Sequence, residues 1–255
     1  MADTVVKEDG RAPDGFFEAE AAGLRWLGEV EGGARVADVI AVAPGRIELE
    51  RVVPAAPTAA AARGFGAALA RTHDAGAPAF GAPPEGWDGP GFIGRRAQPY
   101  AREASWGAFY ARCRVLPFLG PALEAGNLLP DEAALVERAC EAIAAGTFDD
   151  GDAPARIHGD LWAGNVLFSA EGVVLIDPAA HGGHRETDLA MLALFGAPFL
   201  DDILTGYRQH HVLRPGWRDR VPLHQLHPLA VHAAGHGRSY GRELAAAAAA
   251  TLALA

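Results

Sequence analysis

The segment from His158 to Asp177 constrains this chain more than any other. It opens with His158-Gly159-Asp160-Leu161-Trp162-Ala163-Gly164-Asn165 and closes with Ile176-Asp177-Pro178. Between them, Val166-Leu167-Phe168 is a short apolar run and Ser169-Ala170-Glu171-Gly172 is turn material, before a second, β-branched run at Val173-Val174-Leu175-Ile176. A hairpin of that size folds back on itself and brings Asn165 and Asp177 side by side. Three oxygen-bearing side chains gathered in this way suit phosphoryl transfer. That reaction needs a carboxylate to orient the acceptor hydroxyl and oxygen ligands for Mg2+ near the migrating phosphate. Asp160 fits the first task, and Asn165 with Asp177 the second. The competing reading is an Asp and an Asn that cap loops, with Asp177 as an ordinary turn residue before Pro178.

Charge and length narrow the field. A chain of 255 residues has room for one good core or two small lobes. Its formal net charge of −10 argues against a nucleic-acid backbone as partner. No apolar run approaches the length needed to cross a bilayer, so no membrane partner is expected. Met1-Ala2-Asp3-Thr4-Val5-Val6-Lys7 lacks the apolar core of a signal peptide, and a soluble cytoplasmic protein is the expectation. Cys113 and Cys140 are too few and too far apart to imply a disulfide framework or a zinc site. Among His210, His211, His224, His227, His232 and His236, the pair His232 and His236 shares a helical face, but no Cys or nearby acidic ligand completes a metal set.

Periodicity orders the elements. Thr4–Lys7 is expected to be a strand ending in a lysine, followed by a polar linker. Phe17, Ala21, Leu24 and Leu27 share one face of a helix over 16–27, with Asp14 as its N-cap. Strands over 39–42 and 47–53 join through Pro44-Gly45-Arg46. Pro54-Ala55-Ala56-Pro57 breaks the pattern, and a lobe boundary is expected there, with residues 1–53 in one lobe and 54–255 in the other. Thr58 caps a helix to about His73, and a Gly/Pro-rich loop covers 75–99. Helices follow over 105–119 and 131–145, then the hairpin, then helices over 186–195, 200–211, 222–235 and 242–254. Strands with one helix, followed by a mainly helical part that carries a catalytic hairpin, form an α+β, two-lobed, protein-kinase-like fold with nucleotide between the lobes.

These residues resemble the fructosamine kinase (ketosamine-3-kinase) family, within the aminoglycoside-phosphotransferase and choline-kinase-like group. The likeness is collinear over nearly the whole chain. It is carried by Phe17–Leu27, Gly91-Phe92-Ile93-Gly94, Ser105–Tyr110, the His158–Asn165 loop, Asp177-Pro178-Ala179, Gly183–Met191 and Leu223-His224-Gln225-Leu226. The Leu-Trp inside the loop, Asp-Pro-Ala in place of Asp-Phe-Gly, and Arg-Glu-x-Asp-Leu-Ala-Met point to this family within the group. The resemblance implies ATP- and Mg2+-dependent phosphorylation of the sugar 3-hydroxyl of ketosamines, free or protein-bound. The phosphorylated adduct is then lost by elimination, which repairs the glycated amine.

The resemblance also implies roles. Lys7 reaches the α- and β-phosphates, and Glu20 holds it by an ion pair; otherwise both are solvated surface charges. Glu50 and Val52 offer hinge backbone groups to adenine, or else belong to an ordinary edge strand. Trp162 stacks on the sugar or its amine, with core packing as the alternative. His158 braces the loop, and Asp188 ties it to the following helix. One departure matters. Kinases of this class begin with two strands joined by a glycine-rich turn over the phosphates, ahead of the lysine strand. Here Lys7 comes almost at once, and Gly32-Gly33 lies after it. The expectation is a truncated N-terminal β lobe, arising either from a start codon assigned too late or from a chain that binds nucleotide poorly, as a pseudokinase. A related kinase of aminoglycosides, choline or a homoserine-like alcohol is the other alternative. Oligomeric state is left open.

Overall fold

A computed structural model describes residues 3–255. The N-terminal part runs β1 (Thr4–Glu8), α1 (Phe16–Gly28), β2 (Arg35–Val36), β3 (Val39–Ala43) and β4 (Arg46–Glu50). β1 and β3 flank β4, both antiparallel to it, in a three-stranded sheet of order β1-β4-β3. Alternation explains its faces: Ile47 and Leu49 are buried, whereas Arg46, Glu48 and Glu50 point the other way and are half-buried. On α1 the expected face of Phe17, Ala21, Leu24 and Leu27 is buried against this sheet, and Glu20 is buried with it. Asp14 does not cap α1. Gly15 takes that place in the left-handed region, at φ 80°, with no side-chain cap bond. β4 stops at Glu50 rather than Val53, because the chain turns away ahead of Pro54, which has no N–H to donate.

The chain then enters α2 (Ala59–Asp74), capped as expected by the Thr58 hydroxyl accepting from the Ala61 N–H at 3.2 Å. The loop after it holds only a small hairpin, β5 (Phe92–Ile93) with β6 (Arg96–Ala97). The stretch expected as one helix over 105–119 is broken into four pieces. These are α3 (Trp106–Phe109), a π-helical turn over Tyr110–Val115, a 3-10 turn over Leu116–Phe118 and α4 (Leu119–Glu124). Pro117 accounts for the change at its own turn, since it has no N–H for the helical ladder. α5 (Pro130–Ala144) leads to β7 (Ala155–Ile157), the hairpin β8 (Val166–Ser169) and β9 (Gly172–Leu175), and β10 (His181–Gly183). Four helices finish the chain: α6 (Arg185–Leu194), α7 (Leu200–His210), α8 (Val221–Ala233) and α9 (Arg238–Leu252).

Two apolar clusters fill the interior, and they do not divide at residue 53. One lies wholly in the helical part, with Phe109, Tyr110, Val136, Ile143, Leu226 and Leu244 at its centre. The other joins Phe17, Leu24, Ile47 and Leu49 of the N-terminal part to Phe65 and Leu69 of α2, Val166 and Leu175 of the hairpin, and Tyr207 of α7. β2 completes the junction by pairing parallel with β9, Arg35 opposite Val174. Contact between α2 and α7 is close because two glycines meet it. A Cβ on Gly66 would lie 1.9 Å from the Ile203 carbonyl oxygen, and one on Gly206 would lie 2.0 Å from that of Arg63. Among the described residues, no helix is long and apolar enough to cross a membrane.

Candidate active site

The hairpin forms in the expected register, with Val166 opposite Leu175 and Ser169 opposite Gly172. Ile176 N–H donates to the Asn165 carbonyl at 3.2 Å, so the ends of the hairpin meet where the sequence placed them. Asn165 Nδ2 donates to the Asp160 carbonyl at 2.8 Å, to Asp160 Oδ2 at 3.3 Å and to the Asp177 carbonyl at 3.4 Å. One amide thus ties both aspartates together, while Asn165 Oδ1 has no hydrogen-bond donor among the described residues.

Asp177 sits in the left-handed region at φ 54°, one of two non-glycine residues to do so among those described. Aspartate tolerates that region better than most side chains, and strain there commonly marks a functional turn. Its carboxylate pairs with Lys7 Nζ, which also reaches Glu20 Oε1 at 2.6 Å. Burial works against the Lys7 charge, but Glu20 and Asp177 outweigh it and hold the ammonium pKa above its ordinary value. Lys7 and Glu20 are therefore no solvated surface charges. They belong to the same cluster as the hairpin residues.

A buried carboxylate anchors the loop from below. Asp188, on the first turn of α6, accepts from the His158 N–H at 2.8 Å and the Gly159 N–H at 3.0 Å, and meets His73 Nε2 at 3.2 Å. His73 Nδ1 in turn contacts the Tyr207 hydroxyl at 2.8 Å. Gly159 is required, because its φ is +80° and a Cβ there would stand 2.3 Å from the Ala179 carbonyl oxygen. The ring of His158 contacts the Ile176 carbonyl through Nε2 at 2.9 Å and accepts the Asp160 N–H on Nδ1 at 3.2 Å. With both nitrogens engaged inside the protein, His158 has no free base to offer. Replacing Asp188 by Ala strands two buried N–H groups, so we expect a loss of roughly 2–5 kcal/mol in denaturant unfolding. Amide exchange at His158 and Gly159 should rise well before that of α5.

Burial pushes the Asp160 carboxyl up to about 7; the Asn165 hydrogen bond opposes this, and Asp177 and Asp188 add to it. The buried histidines are shifted the other way. Burial lowers the pKa of His73 and His158, and brings His224 down to about 4. A histidine whose folded pKa lies below its unfolded value near 6.5 gives stability that is fully present above pH 6.5. That stability drains away as the pH falls toward the folded value. For His224 alone the span is worth roughly 3 kcal/mol. Asp160, its folded pKa raised to about 7, acts in the opposite sense, losing stability as the pH rises from about 4 to 7. The histidine contribution is therefore read in Asp160→Asn, whose Tm should be flat above about pH 7 and fall between about pH 6 and 4. A Tm indifferent to pH in that interval would mean that these rings are solvated.

These side chains face a cleft of about 330 Å3 lined by Lys7, Glu20, Asp160, Trp162, Asn165 and Asp177, with Phe16, Phe92 and Tyr100 on its outer side. Trp162 is 41% exposed and meets Phe195 edge to face, at 6.0 Å between centroids, so core packing does not explain it. Glu50 and Val52 are not in this cleft; they border a separate recess with Arg35, Ser169 and Glu171. The Glu50 N–H is already given to the Asp38 carbonyl at 2.9 Å, and its carboxylate to Arg35. Among the described residues the Val52 N–H has no hydrogen-bond acceptor.

Phe16, Phe92 and Tyr100 were not singled out from the sequence as site residues. Phe92 stood within Gly91-Phe92-Ile93-Gly94, whereas nothing in the order of residues marks Tyr100. Histidine-rich positions outside the cleft are occupied otherwise. His184, Glu186 and His224 offer ligand atoms within 4.8 Å of one another. Arg220 already gives Glu186 two hydrogen bonds, at 2.6 and 2.9 Å, so that carboxylate has its cation.

An α+β fold whose hairpin gathers these oxygens beneath a lysine–glutamate pair defines a kinase-like phosphotransferase with an alcohol group as acceptor. The sequence profile of the family described as fructosamine kinase matches residues 2–253, and the chain belongs to that family. A crystal structure from Thermobifida fusca, named for fructosamine-3-kinase, is 46% identical with a TM-score of 0.91, over 98% of this chain and 85% of that one. A protein from Enterococcus faecium named as a ketoamine kinase is 32% identical over 90% of this chain and 80% of its own length. More distantly, the aminoglycoside phosphotransferase APH(4)-Ia, solved with AMP-PNP and hygromycin B, shares the fold at 15% identity. Its TM-score is 0.55, over 94% of this chain and 82% of that one.

Proposed function

We propose that this protein transfers the γ-phosphoryl group of ATP to the sugar 3-hydroxyl of ketosamines, and that the product then sheds its sugar to free the amine. Family membership supports the kinase and its ketoamine acceptor. The observation that carries the reading is the junction of Lys7, Glu20, Asp160, Asn165 and Asp177 in one cleft. In this reading Asp160 accepts a hydrogen bond from the acceptor hydroxyl and aligns it with the γ-phosphorus. Because the transition state is loose, position counts for more than basicity. A carboxyl raised by burial is still suited to hold the proton that the hydroxyl gives up.

Lys7, steadied by Glu20, is assigned to the α- and β-phosphates, and the Val52 N–H with the Glu50 main-chain carbonyl to the adenine edge. Trp162 offers a face to the sugar. The donor set at the hairpin fits Mg2+: Asn165 Oδ1 is free of donors, and the Asp177 carboxylate lines the same cleft as a second hard oxygen. There the ion would neutralise charge on the β- and γ-phosphate oxygens. The lobes are taken to meet at residues 53 and 54. With ATP and Mg2+ present, kcat/KM for a ribulosamine or fructosamine should exceed that for choline, homoserine or an aminoglycoside by at least about 100-fold, the scale set by groups built to bind one polar acceptor. A panel in which any of those three alcohols wins would replace this reading.

A further inference from the structure

Arg114 is buried inside the helical part, 1% exposed, on the π-helical turn. Its Nη1 donates to the Pro99 carbonyl at 2.7 Å and the Cys113 carbonyl at 3.0 Å, its Nε donates to His181 Nε2 at 3.3 Å, and its guanidinium lies over the Phe109 ring. All of these partners are neutral. Among the described residues no carboxylate lies within ion-pair distance of it. Burial lowers its pKa to about 9, which leaves it charged at neutral pH. A buried cation without a counter-charge is costly.

The remaining nitrogen of Arg114 shows where compensation can come from. Nη2 is buried without a hydrogen-bond partner, and so are Trp106 Nε1 and His227 Nε2. All three residues line one small cavity, with His181 and Gly183 of β10 on its wall. The cavity holds about 10 Å3 for the centre of a water-sized sphere, which is room for one particle and too little for a polyatomic anion. Indole and guanidinium nitrogens can only donate, and a histidine Nε2 donates in one tautomer. A water placed there would accept from Arg114 Nη2 and Trp106 Nε1 but leave the Arg114 charge uncompensated, whereas a halide accepts from both and supplies the counter-charge. We propose that this cavity binds a single halide ion, held by Arg114, Trp106 and His227.

The ion neutralises Arg114 and thereby fixes the Arg114–His181 contact. His181 follows Asp177-Pro178 closely in the chain, and its Nδ1 contacts the Ala179 carbonyl at 2.7 Å. The site therefore braces the segment that leaves the catalytic hairpin.

The test is thermal denaturation of the full chain, titrated with chloride or bromide against gluconate at constant ionic strength. Tm should rise with halide, each tenfold step above the dissociation constant adding a similar increment, and remain flat when gluconate alone makes up the ionic strength. Crystals soaked in bromide should give an anomalous peak in the cavity. Trp106→Phe keeps a ring and removes one donor, and should weaken the apparent halide affinity about tenfold. Arg114→Met should abolish the halide response; should it fail to fold, the Trp106→Phe titration carries the test. Equal Tm in chloride and gluconate, with no bromide peak in the cavity, overturns the proposal. So does an unchanged halide affinity in Trp106→Phe.

Discussion

Asp160→Asn should lower kcat by about 10²–10⁴-fold while leaving the KM for ATP within about twofold, the signature of a group that acts on the acceptor hydroxyl in the transition state. The substitution is nearly isosteric. The Asp160 carbonyl keeps its bond from Asn165 Nδ2 and its N–H keeps the His158 ring, so the loop retains its shape. Far-UV circular dichroism should match that of the parent protein, and Tm at neutral pH should be no lower, because a carboxyl whose charge is disfavoured by burial is replaced by a neutral amide. A kcat within threefold of the parent's would remove Asp160 from the chemistry, and with it the assignment of the acceptor side of the cleft.

The second large effect belongs to Asp177→Asn. Asparagine also tolerates the left-handed backbone that this position demands, so the turn should survive. What changes is charge. An amide oxygen is a much poorer ligand for Mg2+ than a carboxylate, and Lys7 loses one of its two anionic partners. We expect kcat/KM to fall about 10³-fold, in keeping with several kcal/mol of metal-assisted charge stabilisation. The Mg2+ concentration for half-maximal rate should rise markedly. Steady-state assays across a magnesium series measure both. A wild-type magnesium dependence in this variant would place the ion elsewhere.

The hairpin was legible because local rules decide it: two β-branched runs, a four-residue turn and ligand residues at their ends leave little freedom. Asp188 was legible only through the resemblance carried by Gly183–Met191, since no local rule marks a helical acid as the anchor of a loop thirty residues before it. Other features depend on distant neighbours. Asp14 has the right chemistry for a cap, yet a left-handed Gly15 takes the position, and the choice rests on how the linker enters α1. The breaks over 106–124 follow from packing against α5 and α8 together with Pro117. Helical periodicity alone gives no reason for Glu20 to be buried on the apolar face of α1; only the resemblance paired it with Lys7, which lies opposite on β1.

The cores illustrate the same limit. The break in the strand pattern at Pro54-Ala55-Ala56-Pro57 suggested a lobe boundary. Yet Ile47 and Leu49 pack in one cluster with Phe65, Leu175 and Tyr207, because α2 and the hairpin rise against the sheet. No pattern along the sequence carries that information. Tyr100 is a further case, a loop residue brought to the cleft by β5 and β6. Burial raises its hydroxyl pKa to about 12, so at neutral pH it offers a donor at the cleft wall.

The most direct measurement is a crystal structure with Mn2+ and a non-hydrolysable ATP analogue, read by manganese anomalous scattering. The account predicts a peak between Asn165 Oδ1 and the Asp177 carboxylate, with Lys7 turned from Asp177 toward the phosphates and Asp160 facing the terminal phosphorus. A metal bound at His184, Glu186 and His224 instead, or an analogue seated away from the hairpin, would contradict it.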